Sequence, residues 1–94
     1  MKYLVTSTWK HSTKIDEEQQ RAYMSVFKNL NVHENIIWFR IDEQTHGSVA
    51  IYPSKEAYLE FKDANAMQRG ISNELGITMT YEVEGETFAE LQEL

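Results

Sequence analysis

Trp38 and Arg40 stand two residues apart in Ile36-Ile37-Trp38-Phe39-Arg40-Ile41, an apolar, β-branched run that reads as a strand. Side chains two apart on a strand share a face. If that face lines an enclosed space, Arg40 can hold a carboxylate or an enolate while Trp38 packs the apolar body of the same molecule. Trp9, Tyr52 and Tyr81 are the other candidate ligand-binding residues, as walls or, for the tyrosines, as hydroxyl donors. His46 is the second candidate polar handle, and with Arg40 it is the candidate for a catalytic role. Each of these residues also has a plain structural use. An arginine near a strand end stacks on an indole or pairs with an acid at a subunit seam, and buried tryptophan and tyrosine are commonly core.

Other chemistries find less support. The chain has no cysteine, which removes zinc–thiolate sites, redox pairs and thiol nucleophiles. His11, His33 and His46 fall in expected loops or at strand ends, with no spacing that suggests a shared metal, so they are expected at the surface and no metal or cofactor is expected. Asp16-Glu17-Glu18 suits the first turn of a helix, and Glu82-Val83-Glu84 is expected to put its acids on a wet strand face, so neither is read as an acid–base pair. Met24, Met67 and Met79 are scattered, as gap-fillers are. There is no phosphate-binding glycine loop and no serine nucleophile elbow.

The net charge is −6, and Glu82, Glu84, Glu86, Glu90 and Glu93 follow one another without a basic residue among them. Such a field repels a phosphate backbone, so nucleic acid is excluded as a partner and a solvated tail is expected. An RNA-recognition strand would need stacking aromatics where His46-Gly47-Ser48-Val49-Ala50 offers serine and alanine. No apolar stretch approaches the length of a membrane span, and Met1 to Trp9 is too short and too polar for a signal peptide. A cytoplasmic protein with no membrane partner is expected.

The elements that must position these residues run β-α-β-β-α-β. Tyr3 to Trp9 reads as the first strand. Thr13 with Asp16 resembles a capping box, and Ile15, Ala22, Tyr23, Val26, Phe27 and Leu30 follow at helical spacing. Residues 36–41 form the second strand, 42–47 a polar hairpin loop, and Ser48 to Tyr52 the third strand, closed by Pro53. Ser54 is the expected N-cap of a second helix with Ala57, Tyr58, Phe61 and Ala64 as its stripe, continuing through Met67 and Ile71 with a break at Gly70. Ile77 to Val83 alternates as the last strand, with Ile77, Met79, Tyr81 and Val83 expected on one face. After Gly85, Thr87 with Glu90 offers another capping box, and Phe88, Leu91 and Leu94 give a short apolar edge that should dock on the sheet or on a partner.

This order predicts an α+β, ferredoxin-like domain over 1–94, a four-stranded antiparallel sheet with two helices on one face and an acidic extension from about 85 to 94. Three strands are apolar on both sides: Tyr3, Val5 and Trp9 oppose Leu4, Ile36 and Trp38 oppose Ile37, Phe39 and Ile41, and Val49 and Ile51 oppose Ala50 and Tyr52. Two helices cover one face, so the other calls for a partner, and a second copy about a two-fold axis is the expected one. With its opening Lys2-Tyr3-Leu4-Val5-Thr6, its last strand and its short acidic extension, the chain resembles the dimeric α+β barrel superfamily, which includes antibiotic-biosynthesis-monooxygenase-like proteins. The resemblance implies a homodimer joined through the sheet face. Its haem-degrading members typically carry a histidine on the second helix, where Ser54 to Gly70 has none, so haem chemistry is not expected. Three functions remain open: a module binding a small, largely apolar molecule between sheet and helices, a cofactor-independent monooxygenase-like enzyme acting on an aromatic or enolisable substrate, and a dimer with a filled interior and no ligand.

Overall fold

The computed structural model describes residues 1–62 and 74–94. β1 (Tyr3–His11) leads to α1 (Glu17–Ser25), a 3-10 turn (Val26–Asn29), β2 (Asn35–Asp42) and β3 (Thr45–Tyr52). Residues 55–62 are helical and are called α2 here. β4 (Ile77–Glu86) and a 3-10 turn (Leu91–Glu93) follow. The four strands form one antiparallel sheet in the order β2-β3-β1-β4, with both helices on one face, which is the ferredoxin-like α+β topology. The continuation of the helix expected through Ala64, Met67 and Ile71, with its break at Gly70, lies outside the described residues.

Two helix starts are explained by their caps. Asp16 accepts the Gln19 N–H at 3.1 Å and caps α1, so Thr13 is not the capping residue. Ser54 Oγ accepts the Ala57 N–H at 3.2 Å and starts α2 as its position predicts. The inner face of α1 is narrower than its periodicity suggests. Gln20 is buried, with Tyr23, Met24 and Phe27 half-buried, but Ala22, Val26 and Leu30 are exposed. The helix gives way to a 3-10 turn after Ser25, which rotates Val26 and Leu30 away from the sheet.

The hairpin is tighter than expected. Asp42 pairs with Thr45, leaving Glu43 and Gln44 as a two-residue turn, and Asp42 Oδ1 accepts the Gln44 N–H at 2.9 Å. The Gln44 N–H, followed by the Thr45 hydroxyl, holds the Asp42 carboxyl below the usual carboxylate range. The extra residues bring His46 and Gly47 into β3. Gly47 leaves room there for the ring of Phe39, which lies across it on the far face and would have to move aside for a Cβ.

β4 departs from simple alternation. Its pairing with β1 shifts between Thr8 and Trp9, a bulge that turns Ile77 and Met79 toward the helices but Tyr81 and Val83 away from them. Glu82 and Glu84 consequently lie on the helix side, where Glu84 accepts the Tyr3 hydroxyl at 2.8 Å. The acids at these two positions are therefore not confined to a wet face. The far face carries Leu4, Thr6, Ile37, Phe39, Val49, Ile51, Tyr81 and Val83.

The core sits at one end of the helix face, where Tyr3, Val5 and Tyr52 meet Tyr58 and Phe61 from α2. Phe27, Val32 and Ala50 pack against this cluster. The C-terminal stub does not join it. Thr87 is tied to the Lys2 carbonyl at 2.9 Å and Glu90 to Lys2 Nζ at 3.1 Å, while Phe88, Leu91 and Leu94 are 98%, 86% and 91% exposed.

Candidate ligand cleft and histidine pair

Ser7 on β1 and Ser48 on β3 face each other across the strand pair, both buried. The rungs on either side carry Val5 with Ala50 and Trp9 with His46. Two small side chains between larger ones leave a hollow under α1, into which Gln20, Tyr23 and Phe27 look from above. About 80 Å³ of this space admits water-sized groups, several times what one water needs, so the cleft has room for a group of waters or part of a small molecule.

Both indoles are anchored on the serine floor. Trp9 Nε1 donates to Ser7 Oγ at 2.9 Å, and Trp38 Nε1 donates to Ser48 Oγ at 3.0 Å. An indole N–H has no acceptor capacity, so these bonds fix the two rings as walls. Each serine oxygen serves as acceptor there, which leaves its hydroxyl proton to be donated elsewhere.

His46 closes the other end of the hollow. Its Nδ1 lies 2.7 Å from Nε2 of His11, and both rings are buried. His46 also lies parallel to Trp9 at 6.3 Å and tilted against Trp38 at 5.3 Å. Burial, and secondarily the neighbouring His11, pushes its pKa down to about 4. Burial, followed by the Arg40 guanidinium, lowers that of His11 as well. Both imidazoles are therefore neutral at pH 7, one donating and the other accepting in their shared bond. His46 borders the hollow, while His11 borders a smaller polar recess with Ser12, Asp16 and Gln19 at the end of the sheet.

A third histidine stands at the opposite, core end. His33 Nε2 is 3.0 Å from the Tyr52 hydroxyl, and its buried Nδ1 has no hydrogen-bond partner. Burial holds this ring neutral too. Among the described residues, no group of three or more His, Asp or Glu side chains is arranged to hold a metal ion.

Trp9, Trp38, Tyr52 and His46 all line the cleft. Arg40 shares their side of the sheet but reaches outward, and its Nη2 pairs with Glu17 Oε2 on α1 at 2.9 Å. It borders an adjoining outer hollow instead of the cleft. Tyr81 is displaced altogether. The β4 bulge puts it on the far face, 62% exposed, so it cannot serve as a wall of this cleft. The histidine pair and the serine floor are the parts that linear reading missed. The expectation of surface histidines is corrected for His11 and His46, which are 6% and 7% exposed. A clue was available: His11 lies two residues beyond Trp9, so extending the first strand to His11 places both on one face.

Comparison with known proteins adds the fold. No family model matches the chain, and no curated protein matches it in sequence. Among solved structures, one described as "Structural Genomics, protein YJCS" superposes with a TM-score of 0.62, covering 94% of this chain and 100% of that one at 8% identity. The shared feature is the α+β sandwich, and within this sandwich the cleft lies between the sheet and α1.

Proposed function

We propose that this protein is a homodimer of the dimeric α+β barrel type that binds a small, flat, largely apolar molecule carrying a hydrogen-bonding group. The observation that carries the binding reading is the hollow over Ser7 and Ser48, walled by Trp9 and Trp38 and closed by neutral His46. Aromatic walls with a few convergent polar groups are what small-molecule sites share. Neutral imidazoles and hydroxyls favour a carbonyl or phenol over an anionic head group, because no described cation lines the hollow and Arg40 nearby is tied to Glu17.

Dimerisation is supported by the far face of the sheet. Ile37, Phe39, Tyr81 and Val83 are each about half exposed there, and the bulge that turns Tyr81 and Val83 outward turns Glu82 and Glu84 inward. An apolar sheet face cleared of acids along β4 fits a second copy of itself.

2-Tetralone, a flat aromatic ketone, tests the binding reading. Saturable quenching of tryptophan fluorescence is expected, because both indoles are cleft walls. Ala50→Phe, which fills the hollow from its floor, is expected to weaken binding at least tenfold while leaving circular dichroism unchanged. Equal affinity in the folded variant would place the ligand elsewhere and overturn the reading.

A further inference from the structure

The cleft has the parts of a proton-transfer site as well as those of a binding site. Ser48 and His46 are two apart on β3, so their side chains leave the same face about 6.6 Å from one another along the strand. That separation matches a carbonyl oxygen hydrogen-bonded at one end and the hydrogen on its adjacent carbon presented at the other. The serine hydroxyls already accept indole N–H groups, so their own protons are what they offer a carbonyl. When His46 Nδ1 donates to His11 Nε2, the lone pair left on His46 is at Nε2. Behind it, His11 borders the polar recess containing Ser12, Asp16 and Gln19.

We propose that Ser7 and Ser48 hold the carbonyl of an enolisable ligand while the His46–His11 pair relays its α-proton between cleft and solvent, making the protein a cofactor-independent tautomerase or isomerase. This rests on the cleft binding reading above. In the forward step the C–H bond breaks and its proton passes to His46 Nε2. The electron pair enters the new C=C bond, and the carbonyl π pair moves onto oxygen, where the serine hydroxyls stabilise it. His46 passes its Nδ1 proton to His11 Nε2, and His11 releases its own Nδ1 proton to water in the recess. Returning a proton to the enolate, at oxygen or at a different carbon, completes the reaction with no oxidant or reductant. The relay leaves the pair in its other tautomer, with His46 Nε2 protonated and poised to act as the acid.

The groups around the pair set its pH response. His46 faces His11 on β1 and Arg40 across the β2 pairing, with Arg40 held by Glu17 of α1. Glu82 of β4 and Tyr23 of α1 line the same hollow, and Lys14 and Asp16 line the recess that His11 borders. Exchange should be constant at neutral pH and decline in acid as the pair gains a proton.

Hydrogen–deuterium exchange at the α-carbons of 2-tetralone in deuterated buffer, read by NMR, tests the relay. Wild-type protein is expected to accelerate exchange well over tenfold above buffer. His46→Gln should abolish the acceleration even at 2-tetralone concentrations that saturate the folded variant. His11→Gln should lower it at least tenfold and alter the pH profile, and this second variant guards against a His46 substitution that fails to fold. Binding without accelerated exchange, or exchange undiminished in folded His46→Gln or His11→Gln, would overturn the relay and leave the binding reading standing. Absence of binding in the wild type would overturn both.

Discussion

His11, His33 and His46 are each pushed by burial toward the neutral form, and that preference is a term in the stability of the fold. In the unfolded chain they titrate at the ordinary value near 6.5, so below that pH the unfolded state binds protons that the native state refuses. The stabilising contribution is complete above pH 6.5 and is lost as pH falls through the folded values, about 4 for His46. Asp42, also lowered, titrates below this window and leaves it undisturbed. The urea midpoint should therefore drop between pH 7.5 and pH 5.0, and His46→Gln should flatten part of that slope while His11 and His33 retain the rest. A midpoint identical at the two pH values would mean the histidines are solvated in the native state.

At the scale of single elements, capping chemistry decides where α1 begins. Asp16→Ala removes the acceptor for the Gln19 N–H and should cost about 1 kcal/mol in urea denaturation, whereas Thr13→Ala should fall within about 0.5 kcal/mol of wild type. The reverse ranking would mean that the helix starts at the earlier residue. Local rules of this kind explain which parts of the fold were legible in the sequence. Strand alternation, Pro53 after β3 and Ser54 before α2 act over a few residues, and the β-α-β-β-α-β order is readable from them. The misses at Thr13 and in the hairpin loop came from competing local signals, since Asp16 caps as well as threonine and Asp42 can fold a two-residue turn. Others depend on pairing between distant strands. The bulge opposite Thr8 and Trp9 is a property of the β1–β4 register, and it alone separates Tyr81 and Val83 from Ile77 and Met79. The candidate site was half legible for the same reason. Trp9, Trp38 and Tyr52 follow from strand faces, but His46 joins β3 only because the hairpin turn is tight, and the meeting of His11 with His46 and of Ser7 with Ser48 needs the β1–β3 register, which joins residues more than thirty positions apart.

For the molecule as a whole, the two sides of the sheet have different work. The helix side holds a tyrosine-rich core at one end and the cleft at the other, and the far side is a broad apolar surface with Phe39 laid over Gly47. Ile37 is 48% exposed on that surface, so a charge there costs the isolated subunit little. In a two-fold sheet-to-sheet dimer the same substitution buries two like charges without partners, which is strongly unfavourable. Sedimentation velocity at micromolar concentration should find the wild type dimeric and Ile37→Glu monomeric with an unchanged circular dichroism spectrum. A monomeric wild type, or a dimer indifferent to Ile37→Glu, would remove the sheet face as the interface. The cleft faces the other way, so the monomeric variant should still bind 2-tetralone with near wild-type affinity. If affinity fell together with dimerisation, the second copy would have to brace the sheet floor on which Ser7 and Ser48 stand, and binding and assembly would be one linked equilibrium.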